Sequence, residues 1–347
     1  MKRKLMSNAM ERLLLLGGLA PMMGARAAAI ALNLMIGWQV AADATDVNIP
    51  VPAEALEARF ATEPFSIVAA EISRPQIQGD ITLKAEISFS GNPPVEVKLR
   101  RAEPGAEDPN NRPRYELAAY ELQKLFLEPA EFVVPPTALR TIPVAVLLPY
   151  ATGVRPTFRG SEDVLVVLQY WLQEVKVVAD AYSAHLFATD AGYARHVGQL
   201  NVLTYLIGHG DANRGNFLVS RSVSSPRVFS VDNGIAFAFN DSDRGNTWSR
   251  LRVPKLPADT VDRLRAVTRD ELQRRLGVLV QWRLVDGHWV AEPPGENLGP
   301  QRGVRQQDGV VQLGLTEDEI AEVDRRRTKL LEAVDEGRVG TVGENRP

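Results

Sequence analysis

Two short polar segments carry the side chains that are best suited to chemistry. Residues 209–216 read His-Gly-Asp-Ala-Asn-Arg-Gly-Asn, and residues 231–234 read Val-Asp-Asn-Gly. Phosphoryl transfer needs one carboxylate that orients the incoming hydroxyl and further oxygen ligands that hold a divalent metal against the phosphates. The pattern predicts a phosphotransferase site in which Asp211 is catalytic and Asn216 and Asp232 bind the metal.

Both segments agree with motifs of protein kinases. The first matches the catalytic loop H-R-D-x-x-x-x-N at its His, Asp and Asn positions, with Gly210 in place of Arg, and the second stands where kinases have D-F-G. Either segment alone would be weak, because Asp and Asn beside Gly form turns in any loop. The alternative is a surface loop followed by a structural hairpin.

The neighbouring residues predict the elements that position these segments. Two short apolar runs, 217–219 and 228–231, flank a turn-rich stretch and predict a β-hairpin. Such a hairpin would deliver Asn216 and Asp232 to the same end. Apolar residues at helical spacing over 193–207 predict a buried helix that leads into the catalytic loop.

A hairpin and a helix earlier in the chain supply a lysine and a glutamate. Residues 81–89 and 95–99 alternate apolar and polar, which predicts paired strands, and 114–127 predicts a helix with one apolar face. Kinases place a cation on the α/β-phosphates of ATP and hold it with a carboxylate from a nearby helix. Lys98 and Glu116 fit these two roles.

The turn of this hairpin contains Gly91 and Asn92, which we expect to cover the phosphates of ATP. It has a single glycine, so it predicts only a weak phosphate loop. A lysine on an exposed strand and a glutamate in a first helical turn are commonplace, so a purely structural role stays open. Three further residues compete for the cation and carboxylate roles: Lys84, Lys124 and Glu121.

Apolar patterns in the remaining chain predict a small β-rich lobe followed by a helical lobe. Together with the two kinase-type motifs, this order indicates an α+β, two-lobed protein kinase-like fold. We expect a small β-rich N-lobe at 76–149 and a larger, mainly helical C-lobe at 150–335. Further strands are predicted at 132–134 and 144–148, and a helix at 163–178.

The segments outside these elements receive simpler predictions. Thr316 and Glu319 form a capping-box pattern, which marks the start of a terminal helix. The other predictions are a linker or N-terminal extension at 45–75, a hairpin insertion near 279–291, a loop at 292–309, the terminal helix at 316–334 and a disordered tail at 336–347.

The first 44 residues predict export. Basic residues at 2–4 precede an apolar stretch and small residues, as in a secretory signal peptide. A second apolar run at 27–40 leaves an uncleaved membrane anchor open, and a buried N-terminal helix is the remaining alternative. The expected location is periplasmic or secreted, with or without that anchor, and it becomes cytoplasmic if 1–44 is not a signal.

Composition excludes several kinds of site. The chain has 347 residues, no cysteine and a net charge of −3. Disulfides, thiolate metal sites and cysteine nucleophiles are therefore excluded, and no overall basic field favours nucleic acid. The expected partners are ATP and an acceptor that carries a hydroxyl.

The sequence resembles the secretory-pathway kinases of the Golgi casein kinase type, which are distant relatives of protein and lipid kinases. The Asp-Asn-Gly form of the metal triplet and the Val-Pro-Pro after the helix are the more specific features. The resembling stretches are 79–98, 115–122, 132–136, 205–211 and 231–234. The resemblance implies that Lys98 contacts phosphate and that Glu116 pairs with it or approaches the metal. It also implies that Asp211 is catalytic and that Asp232 binds Mn²⁺ or Mg²⁺.

Two departures from that family leave the acceptor open. The animal enzymes carry disulfides, which this chain lacks, and the loop at 211–216 is closer to the Asp-Arg-His-Asn-Gly-Asn of phosphoinositide-kinase relatives. A protein Ser or Thr, a glycan, a lipid or a small molecule could therefore provide the hydroxyl. Two other functions stay open: a nucleotide-binding pseudokinase that activates or scaffolds a partner, and a structural exported protein.

Overall fold

A computed structural model of the protein describes residues 46–73, 82–222, 224–237 and 244–343. The predicted signal or anchor at 1–44 lies outside these residues and stays a prediction. Within the described ranges, no helix has both the length and the apolar character that crossing a membrane requires.

Helices and strands alternate along the chain. The helices are α1 Ala53–Thr62, α2 Pro113–Gln123, α3 Val144–Leu147, α4 Ala184–Thr189, α5 Ala191–Leu206, α6 Ala258–Ala266, α7 Arg269–Leu276 and α8 Glu317–Asp335. The first strands are β1 Phe65–Ile72, β2 Thr82–Phe89, β3 Val95–Arg101, β4 Thr137–Pro143, β5 Asp163–Tyr170, β6 Val175–Val177, β7 Phe217–Ser220 and β8 Val228–Ser230. The later strands are β9 Lys255–Pro257, β10 Val280–Val285, β11 His288–Glu292, β12 Val304–Gln307, β13 Val310–Leu313 and β14 Gly340–Val342. A mixture of helix and sheet confirms the predicted α+β class.

The sheet that carries the site has five antiparallel strands in the order β1-β2-β3-β5-β4. Alternate residues of β2 are buried, so one face of this sheet packs into a hydrophobic core that also contains Phe60 of α1. The predicted hairpin at 81–89 and 95–99 is confirmed, and Lys84 is paired with Lys98 across it. Val97 and Leu99 face the core, so Lys98 and its neighbours on alternate positions face the other side.

The helix that leads into the catalytic loop and the hairpin that follows are both confirmed. Helix α5 is Ala191–Leu206, and β7 and β8 pair with each other next to β6. Most of α5 is buried in a second, larger hydrophobic core, which it shares with α2 and α8. Burial of this helix fixes the start of the catalytic loop.

Three element predictions near the sheet are wrong. The predicted helix at 163–178 is β5 and β6; five consecutive apolar residues, 164–168, suit a fully buried central strand as well as a helix. The predicted strand at 144–148 is the short helix α3, because the strand is β4 and ends at Pro143. The predicted strand at 132–134 does not form, since the side chain of Gln123 accepts the backbone N–H groups of two of its residues.

Several segments predicted to lack structure contain elements. The linker at 45–75 contains α1 and β1, the loop at 292–309 contains β12, and the tail at 336–347 contains β14, which pairs in parallel with β9. The five-stranded sheet therefore takes β1 and β5 from outside the predicted 76–149 range. Strand β14 has a partner distant in the sequence, whereas β1 and β12 pair with the next strand along the chain, and each of these strands is short or weakly patterned.

The predicted hairpin near 279–291 and the terminal helix are both present, while the role of the hairpin as an insertion stays a prediction. Strands β10 and β11 pair around the turn at 286–287 and belong to a four-stranded sheet with β12 and β13. Helix α8 starts after Thr316, whose Oγ1 accepts the N–H of Glu319 at 3.2 Å, while Glu319 accepts the N–H of Thr316 at 2.8 Å.

Removal of this cap should destabilise the protein measurably. We expect Thr316→Ala to lower the free energy of unfolding by about 1 kcal/mol, because it leaves a helix N–H without its acceptor. Urea unfolding followed by circular dichroism measures this loss. The matched control is Thr328→Ala in the same helix, where the exposed hydroxyl only donates to the carbonyl of Asp324. Equal destabilisation by both variants would contradict a specific capping role.

Candidate active site

A buried lysine–glutamate pair joins the sheet to α2. Lys98 on β3 places Nζ 2.7 Å from Oε1 of Glu116, which lies at the start of α2. Glu116 is completely buried and Lys98 is 9% exposed. Burial would lower the pKa of Lys98, but the charges of Asp232 and Glu116 outweigh it and raise this pKa. The lysine is therefore a permanent cation inside the protein.

The competing residues make their contacts elsewhere. Lys84 places Nζ 2.6 Å from Glu96, and Lys124 places Nζ 2.6 Å from Glu121 on the same helix. Lys124 and Glu121 thus pair with each other, whereas Lys98, paired with Glu116, also lies 3.2 Å from Asp232.

Asp232 follows strand β8 and contacts the same pair. Its Oδ1 lies 3.2 Å from Nζ of Lys98 and 2.7 Å from Nη1 of Arg100. The backbone N–H of Asn233 donates to Oε2 of Glu116 at 2.9 Å, so this loop is held against α2. Asp232 has a φ of 61°, in the left-handed region, where a non-glycine residue persists only if its surroundings fix it. Asp232, the predicted metal ligand, is therefore part of the cluster that Lys98 and Glu116 form.

Arg100 is a residue of this cluster that sequence reasoning missed. It lies two positions after Lys98 on β3, and residues at i and i+2 of a strand share a face. The alternation that predicted the strand was therefore the available signal. A strand that turns Lys98 towards the site turns Arg100 the same way.

The catalytic loop lies beside this cluster and is held by its own hydrogen bonds. The N–H of Asp211 donates to Nδ1 of His209 at 3.3 Å, and Nδ2 of Asn216 donates to the carbonyl of Asp211 at 3.0 Å. The N–H of Val231 donates to the carbonyl of Asn216 at 2.8 Å. The chain just before Asp232 is therefore bonded to the end of the catalytic loop.

The electrostatics of Asp211 and His209 reflect their burial. Burial, and then the negative charge of Asp232, raise the pKa of Asp211, against the opposing effect of Arg244, whose Nη1 lies 3.8 Å from Oδ2. Burial lowers the pKa of His209 to about 4, so its ring is neutral at pH 7. Oδ1 of Asp211 is buried, and none of the described residues provides it with a hydrogen-bond partner. An unpaired buried acceptor is costly, and an incoming hydroxyl or a cation would satisfy it.

A cleft of about 520 Å³ adjoins the cluster. Lys98 and Asp232 line it, together with Ser73, Thr82 and residues 169–172 at the end of β5 and just after it. Its volume is in the range of sites for nucleotide-sized ligands, about 300–1,000 Å³. The predicted phosphate-binding lysine and the predicted metal ligand therefore lie on the wall of one cleft.

The structure does not bring Gly91 and Asn92 to this cleft. They form the β2–β3 turn, where the N–H of Asn92 donates to the carbonyl of Phe89 at 3.1 Å. Thr82, which lines the cleft, is at the opposite end of β2. An antiparallel hairpin separates its turn from its open end by the whole strand length, so this turn is not in a position to cover the phosphates.

The oxygen atoms of the site fit a hard divalent cation. Carboxylate and amide oxygens are the ligands that Mg²⁺ and Mn²⁺ take in proteins, and Asp211 offers an unpaired carboxylate oxygen. Among the residues that the structure describes, no group of three or more His, Cys, Asp or Glu side chains could hold a metal. The amide oxygen of Asn216 and the phosphates of a nucleotide would therefore have to complete the coordination of a metal at Asp211 and Asp232.

The raised pKa of Asp211 predicts an unusual effect on stability. A carboxyl with a raised pKa contributes stability below its ordinary pKa of 3.8, and this contribution is lost as the pH rises through the raised value. We therefore expect Asp211→Asn, with EDTA present, to raise the melting temperature by about 2 °C at pH 7 and to leave it unchanged near pH 4.

Thermal unfolding at the two pH values tests this expectation. The matched control is Asp308→Asn, which changes an exposed aspartate in the turn between β12 and β13. A lower melting temperature of Asp211→Asn at pH 7 would contradict a strained carboxylate at this position.

Comparison with known proteins identifies the fold. No family model matches the chain, and no curated protein matches its sequence. The structure of hydra Fam20 with sugar is 16% identical and aligns with a TM-score of 0.56 over 87% of this chain and 96% of that chain. The chain has the Fam20 fold. The crystal structure of the Golgi casein kinase is 15% identical, with a TM-score of 0.49 over 82% of this chain and 75% of that chain.

The Fam20 fold agrees with the fold that the sequence resemblance implied. Along this chain, the elements that form the candidate site follow in the order of a strand with Lys98, a helix with Glu116, the loop at 209–216 and the loop after β8. At this level of identity the comparison establishes the fold, and the chemistry depends on the residues of this chain.

Proposed function

We propose that this protein is an atypical kinase that transfers the γ-phosphate of ATP to a hydroxyl group. The observation that supports it most strongly is the contact of Lys98 with both Glu116 and Asp232, beside a nucleotide-sized cleft that Lys98 and Asp232 line. These residues come from a strand, a helix and a hairpin that are distant in the sequence. A Fam20 fold and an adjacent Asp211 with an unpaired oxygen agree with the proposal.

Each residue has a role that follows from its geometry. Lys98, held by Glu116, would bind the phosphates of ATP, and Asp211 would orient the acceptor hydroxyl through Oδ1. Asp232 and Asn216 would hold Mg²⁺ or Mn²⁺. The ion would neutralise charge on the transferred phosphoryl group when bound. Neutral His209 would fix the backbone of the catalytic loop rather than move a proton.

The nucleotide would lie between two lobes, with the five-stranded sheet and α2 on one side and the mainly helical part of the chain on the other. The acceptor would approach the catalytic loop, beside which a small pocket of about 130 Å³ is lined by Asn213, Arg214, Trp248 and Arg252. We propose a protein Ser or Thr or a glycan as acceptor; the glycan is favoured by the sugar in the hydra Fam20 structure. An exported location agrees with residues 1–44.

Transfer of labelled phosphate tests the proposed function. The purified full-length chain is incubated with γ-labelled ATP and Mg²⁺ or Mn²⁺, alone, with a Ser/Thr peptide library and with a panel of glycans. We expect metal-dependent transfer that Asp211→Ala abolishes. Hydrolysis or transfer that persists in Asp211→Ala would refute Asp211 as the catalytic residue, and activity without metal would refute the metal requirement.

One observation favours a second candidate, a nucleotide-binding pseudokinase. Two cations contact the same oxygen of Asp232, so this carboxylate is already neutralised before any metal binds. A protein of this kind would bind ATP and act on a partner without transferring phosphate. Stabilisation of the chain by ATP with no transfer to any acceptor would support this function and refute the kinase.

A further inference from the structure

Strand β3 presents two cations, not one, to the candidate active site. Lys98 and Arg100 are 9% and 8% exposed, and they share the face of the strand opposite the hydrophobic core. Both reach Oδ1 of Asp232, at 3.2 Å and 2.7 Å. Among the residues that the structure describes, Lys98 has a second anion in Glu116, whereas Arg100 forms its ion pair with Asp232. The guanidinium therefore depends on Asp232 for its charge balance.

This dependence conflicts with the proposed role of Asp232 as a metal ligand. A divalent cation on the carboxylate would stand close to the guanidinium, and two cations at short range in a buried site repel each other. Arginine cannot relieve the repulsion by losing its proton. A buried charge without an anionic partner is strongly unfavourable, so the guanidinium needs a different anion once a metal is bound.

The cleft places that anion within reach. In the sheet, Arg100 is paired with Thr82, and Thr82 lines the cleft next to Lys98. Residues opposite each other on paired strands have side chains on the same face. The planar fork of a guanidinium matches two phosphate oxygens, which gives stronger and more directional binding than an ammonium. A nucleoside triphosphate that enters with its metal would bring both the competing cation and the replacement anion.

We propose that Arg100 is a second phosphate-binding residue that occupies Asp232 until the metal and the nucleotide bind, and then transfers its contact to a phosphate. Arg100 thereby weakens the binding of metal alone and strengthens the binding of the metal–nucleotide complex. This inference rests on the proposed nucleotide site but not on catalysis, because it concerns two binding steps.

The test measures both binding steps on the full-length chain by calorimetry. The probes are Mn²⁺ alone and a non-hydrolysable ATP analogue in excess Mn²⁺. In Arg100→Met, we expect the dissociation constant of Mn²⁺ alone to fall about tenfold and that of the ATP analogue to rise about tenfold. Opposite shifts are diagnostic, because a purely structural role of Arg100 would weaken both or neither.

Two further variants provide a matched control and a charge-conserving substitution. Arg101→Met is the matched control: it removes the same charge one residue along, on the other face of β3, and should change neither constant. Arg100→Lys keeps the charge but loses the planar fork, so it should leave Mn²⁺ binding as in the wild type and still weaken the analogue. If Arg100→Met does not fold, the two dissociation constants of Arg100→Lys still test the inference.

The outcomes separate this inference from the proposed function. Failure of the wild type to bind the analogue would refute the nucleotide site and the inference together. Binding by the wild type with both constants shifted in the same direction, or unshifted, in Arg100→Met and Arg100→Lys would overturn the inference alone. Opposite shifts without phosphate transfer would uphold the role of Arg100 and refute the kinase.

Discussion

Asp232→Asn is expected to reduce metal-dependent transfer of labelled phosphate by about a thousandfold. The substitution keeps the size of the side chain, and asparagine tolerates the left-handed backbone with its φ of 61°. It removes the negative charge that contacts Lys98 and Arg100 and that would hold the metal. Initial rates at saturating ATP and Mn²⁺ measure the effect, with circular dichroism to confirm that the variant is folded at the assay temperature.

A matched aspartate elsewhere in the chain provides the control. Asp286 is exposed, lies in the β10–β11 turn and also has a positive φ, of 49°, so Asp286→Asn makes the same change in the same backbone conformation. We expect it to retain full activity. Equal activities of Asp232→Asn and the wild type would refute the assignment of Asp232 to the metal.

Glu319→Ala is expected to produce the largest loss of stability, about 3–5 kcal/mol in the free energy of unfolding. Glu319 on α8 accepts from Nη1 of Arg114 at 2.5 Å and from Nη2 at 3.0 Å, and the hydroxyl of Tyr115 donates to it as well. Arg114 is 3% exposed, so the substitution leaves its charge buried without this carboxylate. Urea unfolding of the two proteins measures the difference.

Removal of the ion pair between Glu319 and Arg114 should also change how the stability of the protein depends on pH. Burial would raise the pKa of Glu319, but Arg114 outweighs it and the pKa is lowered. A carboxyl with a lowered pKa contributes stability above its ordinary value of 4.5, and this contribution is lost as the pH falls through the lowered pKa. The difference in the free energy of unfolding between the wild type and Glu319→Ala should therefore shrink as the pH falls below 4.5 and through the lowered pKa of Glu319.

An exposed ion pair is the matched control for the buried one. Arg265 on α6 and Asp335 at the end of α8 are in contact at 2.7 Å, but about half of each side chain is exposed. We expect Arg265→Met to leave the urea midpoint unchanged, because solvent screens such pairs. The buried-pair interpretation fails if the two substitutions have the same effect.

The pair also ties the active site to the C-terminal helix. Arg114 stands two residues before Glu116 on α2, and Glu319 lies in the first turn of α8. Helix α2, whose Glu116 pairs with Lys98, is therefore held in place by the contact of Arg114 with a residue 205 positions later in the chain.

Local patterns in the sequence predicted the elements of the site well. The alternation of β2 and β3, the helical spacing of α2 and α5, and the hairpin of β7 and β8 were each visible because neighbouring residues determine them. The same patterns indicated Lys98, Glu116, Asp211, Asn216 and Asp232 as candidate site residues. Strand β5 was mistaken for a helix, since a strand buried on both faces has no alternation to read.

Contacts between distant segments were decided only by the tertiary structure. The sequence left Lys84, Lys124 and Glu121 as rivals to Lys98 and Glu116. The contacts in the folded protein distinguish them, because Lys84 pairs with Glu96 and Lys124 with Glu121, whereas Lys98 pairs with Glu116. The sequence placed the phosphate-covering turn at Gly91, although the strand register carries that turn away from the cleft. Arg100 on β3 contacts Asp232 because the loop after β8 packs against this strand in the folded protein.

The sequence by itself therefore determined which side chains are available for chemistry and which short elements hold them. Residue types fix the available donors, acceptors and charges, and the periodicity of apolar residues fixes local structure through short-range sterics and burial. The tertiary structure alone decided which charges neutralise one another, how strongly burial shifts the pKa values of Lys98, His209 and Asp211, and where the cleft opens. These properties depend on distances between residues far apart in the chain, which only the packing of the whole fold sets.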